Sequence, residues 1–142
     1  MSDGPRTPGR PKRPLPLLTP ENEFFWLAGR DGELRFKRCR ACGRYQHPPR
    51  PRCDACLSDD IHVETVSGRA ILATYTINRQ PWLPDFPPPY VVGIVELAEQ
   101  EGLRLTTNIV NCEEDEVAIG MPLRVVFELC EDVYLPLFEP VR

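Results

Sequence analysis

The sequence predicts a mainly β protein, built from a short N-terminal helix, a four-cysteine metal module and a five-stranded barrel. Three observations predict this: two CxxC motifs in residues 39–56, apolar residues that alternate with polar ones from Ile61 onward, and an abundance of proline. Proline accounts for 17 of the 142 residues, more than twice its usual share of ~5%. Because proline fixes φ and lacks a backbone N–H, such a chain favours turns and edge strands over long helices.

The chain divides into three predicted regions. Residues 1–18 are rich in proline, glycine and arginine and have almost no apolar period, so we expect a flexible arm. Residues 19–58 are expected to hold the helix and the metal module, and residues 59–142 the barrel. A chain of this length can bury one modest hydrophobic core.

The two CxxC motifs predict the metal module. Each motif places two thiolates on one side of a tight loop, and two such loops supply the four sulfurs of a structural zinc site: Cys39, Cys42, Cys53 and Cys56. An iron site of the rubredoxin kind uses the same four ligands, so it stays an alternative. Disulfides are a further alternative, although nothing in the sequence suggests export. We expect one zinc ion that stabilises the fold and has no open coordination position.

The N-terminal helix is predicted to begin at Thr19-Pro20, where a capping hydroxyl precedes a proline at the first helical position. A glycine at position 29 is expected to end it. Four consecutive large apolar residues cover more than one face of this short helix: Phe24, Phe25, Trp26 and Leu27. Two interpretations stay open. These side chains clamp the helix onto the metal module, or the three aromatic ones contact a partner or ligand.

The C-terminal region has the period of two that is typical of strands. After a strand at 61–65 and a turn at Ser67-Gly68, five barrel strands are predicted, at 70–77, 90–97, 103–110, 123–128 and 133–138. One helical turn is expected at 117–120, before the fourth barrel strand, and Gly93 inside the second strand predicts a bend or bulge. Five strands with a short helical insertion indicate a small closed barrel of the OB type.

The longest interruption of the barrel pattern is PWLPDFPPP, residues 81–89. Its five prolines hold Trp82, Phe86 and the adjoining Tyr90 in a stiff aromatic loop, which in OB barrels lies beside the binding face. The loop is interpreted either as a lid packed over the end of the barrel or as a contact for a ligand or partner.

The charge distribution is asymmetric. Residues 1–67 contain 12 Lys and Arg against 9 Asp and Glu, whereas residues 68–142 contain 5 against 12. The metal module carries a group of arginines that would attract an anionic ligand or an acidic partner: Arg38, Arg40, Arg44, Arg50 and Arg52.

Several functional classes find no support in the sequence. There are only 2 histidines, no Ser-His-Asp or Cys-His arrangement is suggested, and no glycine-rich phosphate loop is present. Cys112 and Cys130 are expected to be small core hydrophobes. No stretch approaches the ~20 apolar residues of a membrane span, so we expect no membrane contact, and the thiolate-rich module favours the cytoplasm.

Taken in chain order, the segments resemble a known family. They are EFFWLAGRDGEL, RCRACG, HPPRPRCDAC, SGRAILATYT, PPPYVVGIVEL, GLRLTTNIV, IGMPLRVVF and YLPLFEP. This order is similar to the family called domain of unknown function thirty-five, a rubredoxin-like zinc ribbon followed by an OB fold. The resemblance runs from about residue 20 to the C-terminus.

The resemblance implies a function. Members of this family are associated with acyl-CoA metabolism and form complexes with thiolase-like enzymes or hydratases. Within the family, residues 75–97 resemble the domain found in actinobacterial steroid side-chain degradation. There it accompanies a thiolase-fold aldolase that cleaves a steroid acyl-CoA and releases propionyl-CoA. The implied role is a non-catalytic accessory subunit of such an aldolase, in a hetero-oligomer, that stabilises its partner and helps to form the acyl-CoA site.

If the chain has this role, its aromatic and basic residues in the helix, the metal module and the loop 81–89 are candidates for contact with acyl-CoA or with the partner subunit. They are Phe24, Phe25, Trp26, Arg44, Arg50, Arg52, Trp82, Phe86 and Tyr90. The alternative from another functional class is a single-stranded nucleic-acid-binding protein, since zinc ribbons and OB folds both serve that purpose. The sequence pI of about 5.2 argues against this alternative.

Overall fold

The computed structural model describes residues 13–142, so most of the predicted flexible arm, residues 1–12, lies outside the described part. The described chain has one short helix, a three-stranded sheet and a closed five-stranded barrel. In chain order the elements are α1 (Glu23–Leu27), a 3-10 helix (Ala28–Asp31), β1 (Leu34–Cys39), β2 (Tyr45–Gln46), β3 (Ile61–Val66), β4 (Arg69–Asn78), β5 (Tyr90–Leu97), β6 (Arg104–Ile109), a second 3-10 helix (Glu114–Glu116), β7 (Pro122–Cys130) and β8 (Val133–Pro140).

The helix begins at Glu23, three residues after the predicted start at Pro20. A turn precedes it, in which the Thr19 N–H donates to Asn22 Oδ1 at 2.8 Å and the Asn22 N–H donates to Thr19 Oγ1 at 3.3 Å. This reciprocal pair satisfies N–H groups that a helix start leaves without partners. The capping role predicted for Thr19 is therefore present one turn ahead of the helix.

The three-stranded sheet has the order β2-β1-β3, and both pairings are antiparallel. β1 and β3 pair over their whole length, from Leu34 opposite Val66 to Cys39 opposite Ile61. The first CxxC motif follows β1 directly, and the second lies in the long connection from β2 to β3. We call residues 34–66 the ribbon.

The barrel has the strand order β4-β5-β6-β8-β7 and closes through pairing of β7 with β4. All pairings are antiparallel except that of β6 with β8, where Ile109 lies opposite Phe138. This is the arrangement of an OB fold. The prediction of a mainly β chain with a helix, a ribbon and a five-stranded barrel is confirmed.

Gly93 on β5 lies against core side chains of its two neighbouring strands, β4 and β6. A Cβ at this position would lie 2.9 Å from Leu72 Cδ1 and 3.1 Å from Ile109 Cδ1. The predicted bulge lies in the neighbouring strand β4, whose register shifts between Leu72 and Thr74, and not in β5 itself. The glycine makes room for the core side chains beside that irregularity.

The single helical turn before β7 lies at Glu114–Glu116, and the prediction of 117–120 was wrong by one turn. The Glu113 N–H donates to Glu116 Oε1 at 2.9 Å, and the Glu113 and Glu116 side chains cap each other's backbone. This capping box places the turn within the acidic run. Val117, which was expected to be helical, is extended and buried in the barrel core.

β8 is buried on both of its faces. Phe138 is fully buried inside the barrel, whereas a second apolar cluster forms on the outer side of the strand: Val133, Leu135 and Leu137. Leu18 and Trp26 pack against this outer cluster. The helix and the segment before it therefore form an outer layer over the barrel.

Within residues 13–142, no helix is long and apolar enough to cross a membrane.

Candidate metal centre and partner surface

The first CxxC motif forms a tight knuckle. The Cys39 N–H donates to the Arg44 carbonyl and the Gly43 N–H donates to the Cys39 carbonyl, both at 2.9 Å. Gly43 has a φ of 81°, in the left-handed region that favours glycine. These bonds hold Cys39 and Cys42 on the same side of the turn.

The second motif repeats this geometry. The Cys53 N–H donates to the Ser58 carbonyl at 2.8 Å, and the Leu57 N–H donates to the Cys53 carbonyl at 3.0 Å. Leu57 occupies the place of Gly43 and has a φ of 68°, which is uncommon for a residue with a side chain. The two knuckles therefore present two pairs of sulfurs in equivalent ways.

The four sulfurs meet in one cluster. All four Sγ atoms lie within 4.8 Å of one another. The Cys39–Cys56 and Cys42–Cys53 Sγ atoms are both 3.6 Å apart, too far for a disulfide bond of about 2.05 Å. A tetrahedral ion with metal–sulfur bonds of about 2.3 Å would place its ligands about 3.8 Å apart. The cluster therefore fits a tetrahedral metal ion, and the disulfide alternative does not describe this structure.

Backbone N–H groups prepare two of the thiols for ionisation. Hydrogen bonds from the N–H groups of Cys56 and Ala55 lower the pKa of Cys53 to about 7. An N–H group at Cys42 likewise lowers the pKa of Cys39. At Cys56, a hydrogen bond from Ser58 lowers the pKa, but burial and the neighbouring thiols outweigh it and raise the pKa to about 12.

Four thiolates this close repel one another, so they can ionise together only around a cation. Cys39 and Cys53 are each 1% exposed, whereas Cys42 and Cys56 lie at the surface. A metal ion bound by all four would have a complete ligand shell and would join the two knuckles of the ribbon. Such a site stabilises the fold and leaves no position for a substrate.

Phe25 connects the helix to the ribbon. It is 3% exposed, and its ring lies 5.9 Å from that of Phe36 and 5.0 Å from that of His47, measured between centroids. The interpretation as a clamp onto the metal module therefore describes Phe25, whose ring is not accessible to a ligand. His47 lies in the same stack, and burial lowers its pKa to about 4.

The two neighbouring aromatic residues point elsewhere. Trp26 is half-buried against the outer side of β8. Phe24 is half-buried as well, with Lys37 Nζ 5.0 Å from the centroid of its ring. The helix therefore bridges the ribbon and the barrel, and Phe24 retains accessible surface at the edge of this bridge.

The arginines of the ribbon are less available than the sequence implies. Arg40 Nη1 lies 3.6 Å from Asp60 Oδ1, and Arg44 Nε lies 3.6 Å from Asp54 Oδ1. These acids follow the basic stretch in the sequence, and the return of the chain through the second knuckle and β3 brings them back to it. The positive charge of this surface is therefore partly neutralised.

Arg50 and Arg52 are exposed. Arg52 Nη1 donates to the Leu57 carbonyl at 3.0 Å, whereas the guanidinium of Arg50 has no hydrogen-bond or ion-pair partner among residues 13–142. Of the three predicted arginine contacts, Arg50 and Arg52 are therefore the more accessible to an anion.

Glu64 organises a polar cluster that the sequence analysis did not identify. It accepts hydrogen bonds from His62, the Tyr45 hydroxyl and Arg38. These three donors, His62 first, lower the pKa of Glu64 to about 2. The alternation of charged residues along β1 and β3 was the available signal, but it identifies partners only when the register of the two strands is known.

The ribbon is joined to the barrel by the turn between β5 and β6. The Tyr45 N–H donates to Gln100 Oε1 at 2.8 Å, and Gln100 Nε2 donates to the Tyr45 carbonyl at 3.0 Å. Glu99 accepts from the Ser67 N–H at 2.7 Å, and Gly68 packs against Val125 too closely to accommodate a Cβ. No local pattern in the sequence signals these contacts.

The loop between β4 and β5, residues 79–89, combines a buried and an exposed aromatic residue. Phe86 is 6% exposed and stacks on Tyr90 with 4.2 Å between ring centroids. Trp82 is 72% exposed. Phe86 therefore packs as in a lid, whereas Trp82 is exposed and its contact with a ligand or partner stays a prediction. We call residues 79–89 the proline loop.

The predicted contact residues form three groups, on the helix, at the knuckles and on the proline loop. Within the described chain, the hydrogen bonds, ion pairs and ring contacts join none of these groups to another. The candidate surface is therefore dispersed, and the four cysteines alone form a compact site.

Comparison with known proteins places this architecture. A family model described as "ChsH2, rubredoxin-like zinc ribbon domain" matches residues 26–62, and one described as "ChsH2, C-terminal OB-fold domain" matches residues 63–128. The solved structure of an "Ltp2-ChsH2(DUF35) aldolase" contains a chain that superposes with a TM-score of 0.79 at 36% identity. The match covers 89% of this chain and 98% of that one. This chain belongs to the DUF35 family.

Curated relatives show the same similarity. The "Probable enoyl-CoA hydratase alpha subunit" of Thermomonospora curvata is 38% identical over 140 residues, which are 95% of this chain and 43% of that protein. The "3-oxo-4,17-pregnadiene-20-carboxyl-CoA hydratase alpha subunit" of Mycobacterium tuberculosis is 32% identical over 125 residues, 88% of this chain and 39% of that protein. The chain therefore spans about two fifths of the length of these two relatives.

A third relative is closer to this chain in length. The "DUF35 domain-containing scaffold protein" of Methanothermobacter thermautotrophicus is 34% identical over 97 residues, 66% of this chain and 71% of that protein. The DUF35 family and its zinc-ribbon and OB-fold domains are therefore established for this chain, as the resemblance in the sequence implied.

Proposed function

We propose that this chain is a non-catalytic accessory subunit of an acyl-CoA lyase or hydratase complex, and more specifically of a thiolase-fold aldolase. The observation that carries the proposal is the match to nearly the whole DUF35 chain of the Ltp2-ChsH2(DUF35) aldolase. The relative named as a scaffold protein supports a structural role. The chain would bind its catalytic partner, stabilise it and help to form the acyl-CoA site.

The substrate class is the finer part of the proposal. The Mycobacterium tuberculosis relative is named as a hydratase of a pregnadiene carboxyl-CoA, a steroid acyl-CoA. We propose that the complex acts in steroid side-chain degradation, where retro-aldol cleavage of a steroid acyl-CoA releases propionyl-CoA. The chain's own part would be to bind and orient, since four protein thiols fill the metal site and leave no position for substrate.

In this proposal the metal is zinc, held by Cys39, Cys42, Cys53 and Cys56. Its chemistry would be structural: it would join the two knuckles and so fix the ribbon against the helix and the barrel. An iron ion of the rubredoxin kind fits the same four sulfurs and stays the alternative.

The partner surface would use the accessible members of the three groups. An exposed tryptophan on a stiff loop is a typical anchor of protein interfaces, and Trp82 fits this description. Arg50 and Arg52 would attract the phosphates of an acyl-CoA held between the two subunits. Phe24 offers further apolar area near Lys37.

Co-expression with a thiolase-fold aldolase encoded beside this chain tests the proposal. We expect one complex by size-exclusion chromatography and native mass measurement, and a higher rate of propionyl-CoA release than from the partner alone. Trp82→Ala is expected to weaken the complex about tenfold or more, as the loss of an interface anchor does.

Ile119→Ala is the matched control, because Ile119 is 67% exposed on the barrel and lies outside the proposed surface. It should leave affinity unchanged. Separate elution of the two proteins, with full activity from the partner alone, would refute the accessory role.

Single-stranded nucleic-acid binding has less support in the structure. OB folds bind oligonucleotides on their second and third strands, which are β5 and β6 here. Within the described chain, the outward-facing residues of these strands include a single aromatic ring, that of Tyr90, and no row of rings for base stacking: Tyr90, Val92, Ile94, Glu96, Arg104, Thr106 and Asn108. The ion pairs of Arg40 and Arg44 also reduce the basic surface.

A further inference from the structure

The segment before the helix, residues 13–18, lies against the outside of the barrel. It contains no helix or strand, yet Leu18 packs on the outer cluster of β8. Arg13 lies at the other end of this segment and is half-buried. We call residues 13–18 the strap.

Arg13 has three contacts that converge from different parts of the fold. Its Nε donates to Glu128 Oε2 on β7 at 2.9 Å, and its Nη1 donates to Asn108 Oδ1 on β6. Its guanidinium lies 4.7 Å from the centroid of the Phe86 ring in the proline loop. Asn108 is fixed in turn, because its Nδ2 donates to the Val91 carbonyl at 2.9 Å.

The Arg13–Glu128 pair is shielded from solvent. The side chains are 9% and 17% exposed, respectively, which is much less than for the ion pairs of Arg40 and Arg44 in the ribbon. A charge this far from water is retained only when it is paired and hydrogen-bonded, and losing one partner leaves the other uncompensated. The pair therefore has a strong preference for its present geometry, whereas an exposed pair has almost none.

Phe86 links the Arg13–Glu128 ion pair to the proline loop. Its ring contacts Arg13 and also stacks on Tyr90, at the start of β5. It is the buried large side chain of the loop, whereas Trp82, four residues earlier, is 72% exposed. The loop is also joined to the barrel by Arg79, whose ion pair with Glu114 is exposed. Within the described chain, the loop is thus held on the barrel through two contacts of the buried Phe86 ring, one with Arg13 and one with Tyr90.

We propose that Arg13 is a positioning residue, which holds the proline loop in the conformation that presents Trp82 to a partner subunit. This inference rests on the proposed function, since the loop is the docking surface named there. Arg13 acts on binding through the loop, because its own side chain is only 9% exposed. When the ion pair is removed, the loop must be ordered as the complex forms, and binding is weakened by that ordering cost.

Fluorine NMR of protein labelled with 5-fluorotryptophan tests the effect on the loop in the free chain. The 2 tryptophans give two resonances, and Trp82→Phe assigns that of Trp82. Arg13→Met is expected to shift and narrow the Trp82 resonance, as for a mobile exposed ring, while the Trp26 resonance keeps its linewidth. Arg30→Met is the control, because Arg30 is an exposed arginine with no ion pair among residues 13–142, and it should change neither resonance.

A double-mutant cycle tests the effect on binding to the thiolase-fold partner. Arg13→Met should weaken the complex about tenfold in the natural chain and less than about twofold in the Trp82→Ala background, because Arg13 acts through the loop. Glu128→Gln should reproduce the effect of Arg13→Met, since it removes the other charge of the pair.

The outcomes separate this inference from the proposed function. If Trp82→Ala weakens the complex but Arg13→Met leaves the Trp82 resonance unchanged, or weakens binding equally in both backgrounds, the positioning role is wrong and the docking role stands. If Trp82→Ala leaves affinity unchanged, the loop is not a docking surface and both statements fall together.

Discussion

His47 is a half-buried side chain whose protonation would oppose the packing of the helix on the ribbon. It is stacked on Phe25 and lies edge-on to Phe36, at 5.0 and 5.1 Å between centroids, and its Nδ1 is buried without a hydrogen-bond partner among the described residues. Burial disfavours the charged imidazolium and lowers the pKa of His47 to about 4 from 6.5. His47 therefore packs as a neutral aromatic ring. Its protonation would destabilise the contact between the helix and the ribbon.

The sign of the effect on stability follows from the two pKa values. The unfolded chain protonates His47 near pH 6.5, whereas the folded chain does so near 4. Its contribution is therefore complete above pH 6.5 and is lost as the pH falls from 6.5 towards 4, by about 1 kcal/mol between pH 7 and 5.5. We expect His47→Phe to reduce this loss and to leave the stability at pH 7 equal or higher.

Urea unfolding of metal-loaded protein at pH 7 and 5.5 measures this, with metal content determined at both pH values. His62→Gln is the comparison variant, because it changes the other histidine of the chain, which is hydrogen-bonded to Glu64, and so measures that residue's share of the pH dependence separately. The same difference between the two pH values in His47→Phe and the natural chain would exclude His47 as its source.

At the scale of elements, the junction of the 3-10 helix with the barrel depends on the absence of one side chain. A Cβ at Gly29 would lie 2.4 Å from Tyr134 Cβ on β8 and 2.8 Å from Phe127 Cδ1 on β7. Helix propensity alone would make Gly29→Ala stabilising by up to about 1 kcal/mol. The close approach reverses the sign, since the helix would have to move away from the barrel.

We therefore expect Gly29→Ala to lower the free energy of unfolding by about 1–3 kcal/mol, the usual cost of overpacking. Chemical denaturation with the metal bound measures the change. Arg30→Ala, in the same helix but with an exposed side chain, should stay within about 0.5 kcal/mol of the natural chain. A Gly29→Ala protein more stable than the natural chain would show that the helix is not held this close to β7 and β8.

The elements also show which parts of the fold can be predicted from sequence. Strands such as β5 and β6 were predictable because only one face of each is buried, which imposes a period of two. The cysteine spacing predicted the sulfur cluster because a knuckle is local. The helical turn at Glu114–Glu116 was missed because capping side chains decide it, not apolar period.

The contacts between distant parts of the chain were not predictable by this reasoning. Gln100 bonds to Tyr45 across 55 positions and Arg13 to Glu128 across 115, and no local pattern specifies such partners. For the same reason, the sequence did not predict that Asp54 and Asp60 pair with Arg44 and Arg40 and reduce the positive charge of this surface.

At the scale of the whole molecule, the ribbon is the part to which the helix and the barrel are both attached. Phe25 joins it to the helix and Gln100 joins it to the barrel, while its own three strands are only 6, 2 and 6 residues long. A sheet of this size depends on its metal, since structural zinc sites supply folding free energy directly. Loss of the metal should therefore disturb the whole arrangement and not the knuckles alone.

We expect Cys39→Ser and Cys53→Ser to lose metal, solubility and partner binding together, because both sulfurs are buried at the centre of the cluster. Elemental analysis should give one zinc per natural chain and less than about a tenth of that in either variant, with a lower unfolding temperature and no complex on size-exclusion chromatography. Cys112→Ser changes a cysteine outside the cluster and should keep both metal and complex. If Cys39→Ser lacked metal and still formed a fully active complex, the barrel and helix alone would carry the partner surface. The ribbon would then have no part in positioning it.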